Sequence, residues 1–346
     1  MRAIDTDYLK EGQKLARPIY DEVGRILLHK GTIIRKNYIS RLEQLGIPFV
    51  YIEDELVGPI DSEDIIHDSV RIQALKMIKS TMEQAKISRD IDIRYVSEIV
   101  NKILDDIASA QSLLVTIMDI RSKNFHLFNH SISVAVLSVI TGMVLKLDQV
   151  KIKNLGMGAI LHDVGKSLAP GEDHTAAGFN LIRQNKDINI TCAHVAYQHH
   201  ERYDGKGYPR GLKGEEIHLF GAITAMANYY DRLVAPQADT KERMYPYQAI
   251  EKVVAESGRR FHPELVIAFT RNIVPYPVGS LIKINTGSLG VVTGLHSNYP
   301  TRPVIKLVTD KFGGLLDVFP EIDLLEEKTV FINEIISERD RNSMGL

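Results

Sequence analysis

Between residue 61 and about residue 274, apolar residues return at three- and four-residue intervals through SVRIQALKMIKSTMEQA, VSEIVNKILDDIASAQSLLVTIM and NHSISVAVLSVITGMVL. That period gives each segment one apolar side to bury, so the middle of the chain is expected to be an all-helical domain. The most apolar run, SISVAVLSVITGMVL (131–145), falls short of the ~18 residues a membrane span needs and reads as a buried core helix.

The flanks break that period. The first ~55 residues carry short strand-like runs around turn signals: KLARPIYD and RILLHKGTII flank Asp21-Glu22-Val23-Gly24, and the helical pattern KNYISRLEQL is stopped by Gly46 before PFVYIED. After Pro275-Tyr276-Pro277, alternation returns in SLIKIN, LGVVTGL, RPVIKLVT and LLDVF, separated by Asn285-Thr286-Gly287, Asn298-Tyr299-Pro300 and Gly313-Gly314. The expected fold is mainly α: a small α+β domain (1–58), connecting helices (59–109), the helical domain (110–274) and a small β-barrel-like domain (275–346).

Bulk properties remove several functions. A net charge of -2 over 346 residues gives no basic field for a nucleic-acid polymer or a membrane surface, while leaving room for a small anionic ligand. The single cysteine, Cys192, makes no internal disulfide and fits a reducing cytosol. The opening MRAIDTDYLKEGQK mixes charges with no apolar stretch, so no signal peptide is expected and the reading is cytoplasmic.

Chemistry concentrates in the helical region. Seven of the twelve histidines (126, 130, 162, 174, 194, 199 and 200) fall between residues 126 and 200, and His162 is followed by Asp163 in ILHDVGK. Imidazole and carboxylate are the usual ligands of divalent transition metals, and helices that project them inward build dinuclear centres. Adjacent imidazoles at His199 and His200 are costly to bury without a shared acceptor, and a cation is one. Asp163 can bridge two metals while His162 holds one. Lys166, one turn beyond His162, either aims an ammonium at a bound phosphate or is a solvated surface lysine. His194 reads as a hydrogen-bonded core histidine, and His29, His67, His218, His262 and His296 as surface or loop residues. In DGKGYP, Gly205 and Gly207 permit positive φ or close backbone approach and Pro209 fixes a turn; a phosphate-cradling loop and a merely tight loop look alike here.

In this order, H...HD...H...HHExxDGxGYP resembles the HD-GYP family, a branch of the HD metal-dependent phosphohydrolases that hydrolyse the bacterial messenger cyclic di-GMP. The likeness covers roughly residues 110 to 272, and its specific part is HHERYDGKGYP combined with the upstream HDVGK. LKEGQKLARPIYDEVGRILLHKGTIIRKNYISRLEQLGIPFVYI is similar to the leader domain of many such proteins, and YPVGSLIKINTGSLGVV to the small SH3-like barrel that often follows. The resemblance implies that His130, His162 and Asp163 hold one metal, with Asp163 bridging to a second held by His174, His199 and His200. Lys166 would contact the scissile phosphate, and Asp163 and Lys166 would be the catalytic residues. Asp204, Gly205, Gly207, Tyr208, Pro209 and Asp231 would line the nucleotide pocket.

Some positions depart from the family pattern. In AMANYYDRL, Asn228 stands where the family has an aspartate as closing ligand of the first metal. APQADTKER replaces an arginine-rich stretch, and SLAPGED makes a short connection between HDVGK and His174. His126 occupies a place where many members have tyrosine and some an acidic ligand to a third metal; a histidine there either extends the metal site or bonds at the pocket rim. The implied cofactors are two or three divalent transition-metal ions, iron or manganese by donor type. The implied activity is phosphodiester hydrolysis of cyclic di-GMP by a metal-activated hydroxide, giving pGpG or GMP. Two alternatives stay open: a degenerate relative that binds a cyclic dinucleotide or a signalling protein with little turnover, and another phosphoester substrate on the same metals. Homo-oligomers are compatible with both.

Overall fold

The structure is a computed structural model that describes residues 1–21, 25–47, 49–54, 65–110, 112–115, 126–235 and 244–344; the side chains of His126 and Leu127 fall outside that description. The chain opens with β1 (Arg2–Asp5), the short antiparallel pair β2 (Ile19–Tyr20) and β3 (Ile26–Leu28), α1 (Lys36–Gln44) and β4 (Phe49–Ile52), which returns antiparallel to β1. Gly46 ends the α1 turn at φ +65°, a conformation that costs glycine little. Ile4, Leu15, Ile34, Leu42 and Val50 share a small core of their own. Glu22, Val23 and Gly24 of the expected turn lie outside the described residues.

Helices then follow in sequence: α2 (Asp68–Ser88), α3 (Ile93–Ser109), α4 (His126–Val144), α5 (Gln149–Ile160), α6 (His174–Arg183), α7 (Ile190–Gln198), α8 (Leu219–Val234), α9 (Pro246–Ala255) and α10 (Pro263–Thr270). Local chemistry sets their starts. The side chains of Asp92, Asp148 and Asn189 accept from the N–H groups of Tyr95, Lys151 and Thr191, capping α3, α5 and α7, and His218 and His262 do the same for α8 and α10 through their imidazoles. α3 buries Ile93, Val96, Ile99, Val100, Ile103 and Ile107, the stripe expected of a 3.6-residue period. α4 is buried on all sides from Ser131 to Thr141 and packs against α2, α5, α8 and α10, so it is the axis of the domain. One continuous apolar core runs from Ile66 on the approach to α2 to Ile273 beyond α10. Among the described residues no helix is long and apolar enough to cross a membrane.

The helical pattern read through Met118 ends sooner. α3 stops at Ser109 because Ala110 turns extended, and Val115 pairs with the chain beyond α10, donating to Asn272 O at 2.7 Å and accepting from Val274 N–H at 3.1 Å. A distant strand-like partner outcompetes local period there.

The C-terminal region is a five-stranded antiparallel sheet of β5 (Leu281–Ile284), β6 (Leu289–Gly294), β7 (Val304–Leu307), β8 (Glu321–Asp323) and β9 (Ile332–Ile335), in the order β8-β7-β6-β5-β9, followed by α11 (Glu338–Ser343). β8 and β9 are the edges and do not pair with each other among the described residues, so strand pairing does not show the expected barrel to be closed. LLDVF is not a strand either. The Asp310 carboxylate accepts from Phe312 and Gly314 N–H at 2.8 Å each, curling the chain into a turn, and the strand forms later at Glu321. A buried ion cluster joins the two ends of the chain: Asp54 Oδ2 lies 2.6 Å from Arg2 Nε and 2.8 Å from Arg341 Nη2, and Arg2 also meets Glu338.

Candidate metal centre

Five elements of the helical core each deliver part of one buried cluster. His130 comes from α4, His162 and Asp163 from the turn that ends α5, His174 from the first residue of α6, His199 and His200 from the end of α7, and Asn228 and Asp231 from α8. The HDVGK turn can reach α6 only because residue 165 is glycine: a Cβ there would sit 2.0 Å from the His174 carbonyl oxygen. That close approach sets Asp163 beside His174.

The ring orientations follow from hydrogen bonds on the outer nitrogens. His162 Nδ1 donates to Ala159 O at 2.7 Å, His199 Nδ1 to Ala196 O at 2.9 Å, and His174 Nδ1 to Gly171 O; His130 Nδ1 donates to Asp231 Oδ2 at 2.6 Å. Carbonyl and carboxylate oxygens only accept, so each Nδ1 carries the proton and each Nε2 turns a lone pair inward. The inward nitrogens meet in pairs, His130 with His162 at 3.3 Å and His174 with His199 at 3.2 Å. Two facing lone pairs repel, and a cation relieves them.

Asp163 stands between the pairs with one oxygen for each. Oδ2 is 3.3 Å from His162 Nε2 and 3.8 Å from His130 Nε2, while Oδ1 is 3.4 Å from His174 Nε2 and 3.5 Å from His199 Nε2. Two donor groups result, His130-His162-Asp163 and Asp163-His174-His199-His200, each with its ligand atoms within 4.8 Å of one another. His130, His162, Asp163, His174 and His199 are buried, and His200 is partly so.

Three buried polar atoms in this region lack a hydrogen-bond partner: Asp163 Oδ1, His200 Nε2 and Asn228 Oδ1. Orphaned acceptors of this kind are costly, and here all three are good metal donors. The donor set therefore fits divalent transition-metal ions. Charge agrees with that fit. Burial pushes the imidazoles of His162 and His200 down, and burial with the neighbouring histidines brings His199 to about 4. Asp163 is held well below the usual carboxylate range despite its burial, and the Lys166 ammonium 2.5 Å from Oδ2 favours the same anion. Neutral imidazoles around a carboxylate anion are the protonation state that ligates metal.

The remaining expected residues are placed as follows. Lys166 Nζ lies 2.5 Å from Asp163 Oδ2 with its side chain 28% exposed, so it joins the centre to solvent. Gly205 takes φ +78°, and Gly207 packs so closely on its own loop that a Cβ would lie 2.4 Å from Arg202 N. Both glycines thus serve a tight loop. Tyr208, joined to Pro209 by a cis peptide bond, stacks on His200 with ring centres 4.6 Å apart. Two further residues expected at the nucleotide have partners within the chain. Asp204 spends its carboxylate on Arg202 Nε and Nη2, at 3.0 and 2.8 Å, and on Lys206 N–H; the Arg202 bonds bring its carboxyl to about 2. Asp231 is fully buried, with Oδ2 accepting from His130 Nδ1.

His194 stands apart, half-buried, with Nδ1 3.3 Å from Gln198 Nε2 and its ring against Phe179 and His218. The His126 side chain and residues 236–243, which include most of APQADTKER, lie outside the described residues. Sequence reasoning passed over Glu201. Its buried carboxylate accepts from Arg210 and Leu212 N–H at 2.9 Å each and so clamps the glycine-rich loop back onto α7. An acid directly ahead of such a loop was the available signal.

Comparison with known proteins adds to this picture. Residues 115–265 match the family model of the HD domain, and residues 281–344 match a KOW domain associated with HD domains. The chain is 26% identical over 277 residues to the cyclic di-GMP phosphodiesterase PA4108 of Pseudomonas aeruginosa, covering 72% of this chain and 66% of that protein. It is 35% identical over 145 residues to a cyclic di-GMP phosphodiesterase of Thermotoga maritima, covering 36% and 39%. Against the cyclic di-GMP phosphodiesterase response regulator RpfG of Xanthomonas campestris pv. campestris it is 36% identical over 157 residues, covering 39% and 41%. The chain thus spans less than two thirds of the length of each of these relatives.

Proposed function

The chain belongs to the HD-GYP family, and from that premise we propose that it is a metal-dependent phosphodiesterase that opens cyclic di-GMP to pGpG or GMP. The observation that carries this reading is Asp163, which offers one oxygen to each of two histidine pairs whose Nε2 lone pairs face one another. His130 and His162, closed by Asn228, are assigned to one divalent ion, and His174, His199 and His200 to a second, with Asp163 shared. Two such ions, iron or manganese by donor type, supply Lewis-acid activation of water and of the phosphoryl oxygens when bound.

The chain's own groups do the rest. Asp231 keeps the His130 proton on Nδ1, so that Nε2 stays free for ligation. Lys166 has three N–H donors, one spent on Asp163, and its solvent side is open to donate to a nonbridging phosphate oxygen. Tyr208 covers His200 and keeps water from that edge of the centre. The same reading takes residues 1–58, 59–109, 110–274 and 275–346 as successive units of a cytoplasmic protein. It takes the C-terminal sheet as an SH3-like barrel, for which the placing of the last strand beside the first is the support.

A second reading, a cyclic-dinucleotide binder with little turnover, is favoured by Asn228, whose oxygen brings no charge to the first metal. Metal analysis of anaerobically purified protein, joined to product chromatography on cyclic di-GMP, separates the two. About two ions per chain with pGpG or GMP formed is the expected result. Bound nucleotide without product would favour the binder, and no metal in gently purified protein would overturn the assignment.

A further inference from the structure

The helix α9 takes part in two cores. Along its length Ala249 and Val253 are buried in the core of the helical domain. Its first turn belongs to the C-terminal sheet: Tyr245, which precedes the helix, and Tyr247 pack with Tyr276 against the core that holds Ile282, Ile284 and Ile335. The three rings form a stack, with Tyr247 6.3 Å from Tyr245 and 5.7 Å from Tyr276 and planes 13° and 27° from parallel.

The other end of α9 meets the glycine-rich loop. Beyond Ala255 the chain turns through residues 256–261, where Gly258 N–H donates to Phe261 O at 2.9 Å. This turn gives two carbonyls to the loop: Tyr203 N–H donates to Arg260 O at 3.0 Å and Asp204 N–H to Arg259 O at 2.8 Å. Glu256 adds a charge. Its Oε2 is buried 3.9 Å from Arg202 Nη2 and has no hydrogen-bond partner among the described residues, while the same Nη2 bonds Asp204 Oδ2 at 2.8 Å. The turn also reaches α8 at the residue after Asn228, where the Arg260 guanidinium sits 4.6 Å over the Tyr229 ring and Phe261 meets that ring edge-on at 5.4 Å.

One short helix thus joins the sheet to the loop that carries Tyr208 onto His200. From Tyr247 to Glu256 is nine helical steps, about 14 Å at ~1.5 Å per residue. A helix packed along its length moves as a unit, so a shift of its tyrosine end is a shift of the carbonyls that hold Tyr203 and Asp204. Resting on the phosphodiesterase reading above, we infer that Tyr247 and Glu256 are positioning residues, through which the C-terminal sheet sets the place of the glycine-rich loop beside the metal centre. Tyr247 docks α9 on the sheet; Glu256 and the carbonyls that follow it hold residues 202–204, and with them the start of the loop. The sheet contributes to catalysis without touching substrate.

The test is amide hydrogen exchange of the metal-loaded full chain, read at Tyr203 and Asp204, beside steady-state kinetics on cyclic di-GMP. Tyr247→Ala should speed exchange at both amides by about tenfold, the scale of one lost aromatic contact, and lower kcat, with metal content and the amides of α4 and α5 unchanged. Tyr247→Phe keeps the ring and should match wild type in both readouts. Tyr247→Leu, which keeps apolar volume and loses the stack, gives the same readout where the alanine variant does not fold. Glu256→Gln should loosen the same two amides while exchange in the sheet stays as it is. Wild-type exchange at Tyr203 and Asp204 in the Tyr247 and Glu256 variants, or a rise that spreads through α4 and α5, would overturn the linkage. Faster loop exchange with kcat and KM unchanged would overturn the positioning role. A metal-loaded wild type without turnover would overturn the proposed function, and the exchange data would still decide the linkage.

Discussion

Replacing Asn228 with aspartate asks whether this oxygen belongs to the first metal. Asn228 is 4% exposed, its Oδ1 has no hydrogen-bond partner, and it stands one turn ahead of the Asp231 that orients His130. A buried acceptor left unmade costs about 1–3 kcal/mol, which a cation at that oxygen would offset. A carboxylate in its place adds a full charge. Two unit charges ~4 Å apart are worth about 1 kcal/mol in water and about 4 kcal/mol at an effective dielectric of ~20, and a dication doubles either figure. Desolvation of the carboxylate removes several kcal/mol of the larger value. The net gain is then on the order of 1.4 kcal/mol or more, about tenfold in metal affinity. Without metal the same substitution buries an unpaired charge, so the metal-free variant should melt below wild type. Chelator competition measures the first effect, and calorimetric melting with and without metal the second. An enzyme limited by metal loading would also gain phosphodiesterase activity, whereas a pure binder would gain metal without turnover. Equal metal affinity and equal melting in the two proteins would refute the placement of Asn228 at the metal.

Asp231→Asn should lower metal affinity by roughly 10- to 100-fold, because His130 loses the carboxylate that fixes its tautomer; metal analysis beside kinetics checks this, since a raised KM with metal intact would mean that Asp231 meets substrate after all. Lys166→Ala should keep its metals while losing turnover or nucleotide affinity by roughly 1.5–3 kcal/mol, and loss of metal with nucleotide binding unchanged would count against a phosphate contact. The metal-free protein should lose stability in acid. His199 is lowered from an ordinary 6.5 to about 4, so between those values the unfolded chain binds a proton that the folded one refuses. That stability is fully present above pH 6.5 and is lost as the pH falls toward 4, on the order of 3 kcal/mol, with Asp163 adding to the loss below the ordinary carboxylate range. Urea unfolding of metal-free protein at pH 7 and pH 5 measures it, and equal stability at both would rule out a buried neutral His199.

How much of this was legible in the chain depends on the range of the forces involved. The stripe of Ile99, Ile103 and Ile107 on α3 and the all-round burial of α4 follow from periods that a short window contains. The end of α3 does not, because Val115 leaves the helical pattern to pair with Ile273 from the far side of α10. LLDVF has the composition of a strand, yet Asp310 spends local N–H groups on a turn, and the edge of the sheet is completed by Glu321–Asp323, whose own sequence is unremarkable as a strand. β9 likewise becomes visible only as the partner of β5.

At the centre the division is sharper. Residue type and order name the donors: His130, His162, Asp163, His174, His199 and His200 carry their ligand chemistry wherever they are placed, and HHERYDGKGYP announces a tight loop through its glycines and proline. Which atom of each donor is used is another matter. An imidazole has two nitrogens that a sequence cannot distinguish, and the choice between them falls to whatever accepts the proton of the other: Ala159 O for His162, Ala196 O for His199, the Asp231 carboxylate for His130. Those acceptors are backbone carbonyls of neighbouring turns or a side chain on α8. Asp163 likewise becomes two-sided only when packing at Gly165 brings α6 against it. The sequence by itself determined the chemistry available and the helices that carry it, because composition and period are local. Tertiary packing alone decided which lone pairs face one another, because hydrogen-bond direction depends on partners brought in from elsewhere in the chain.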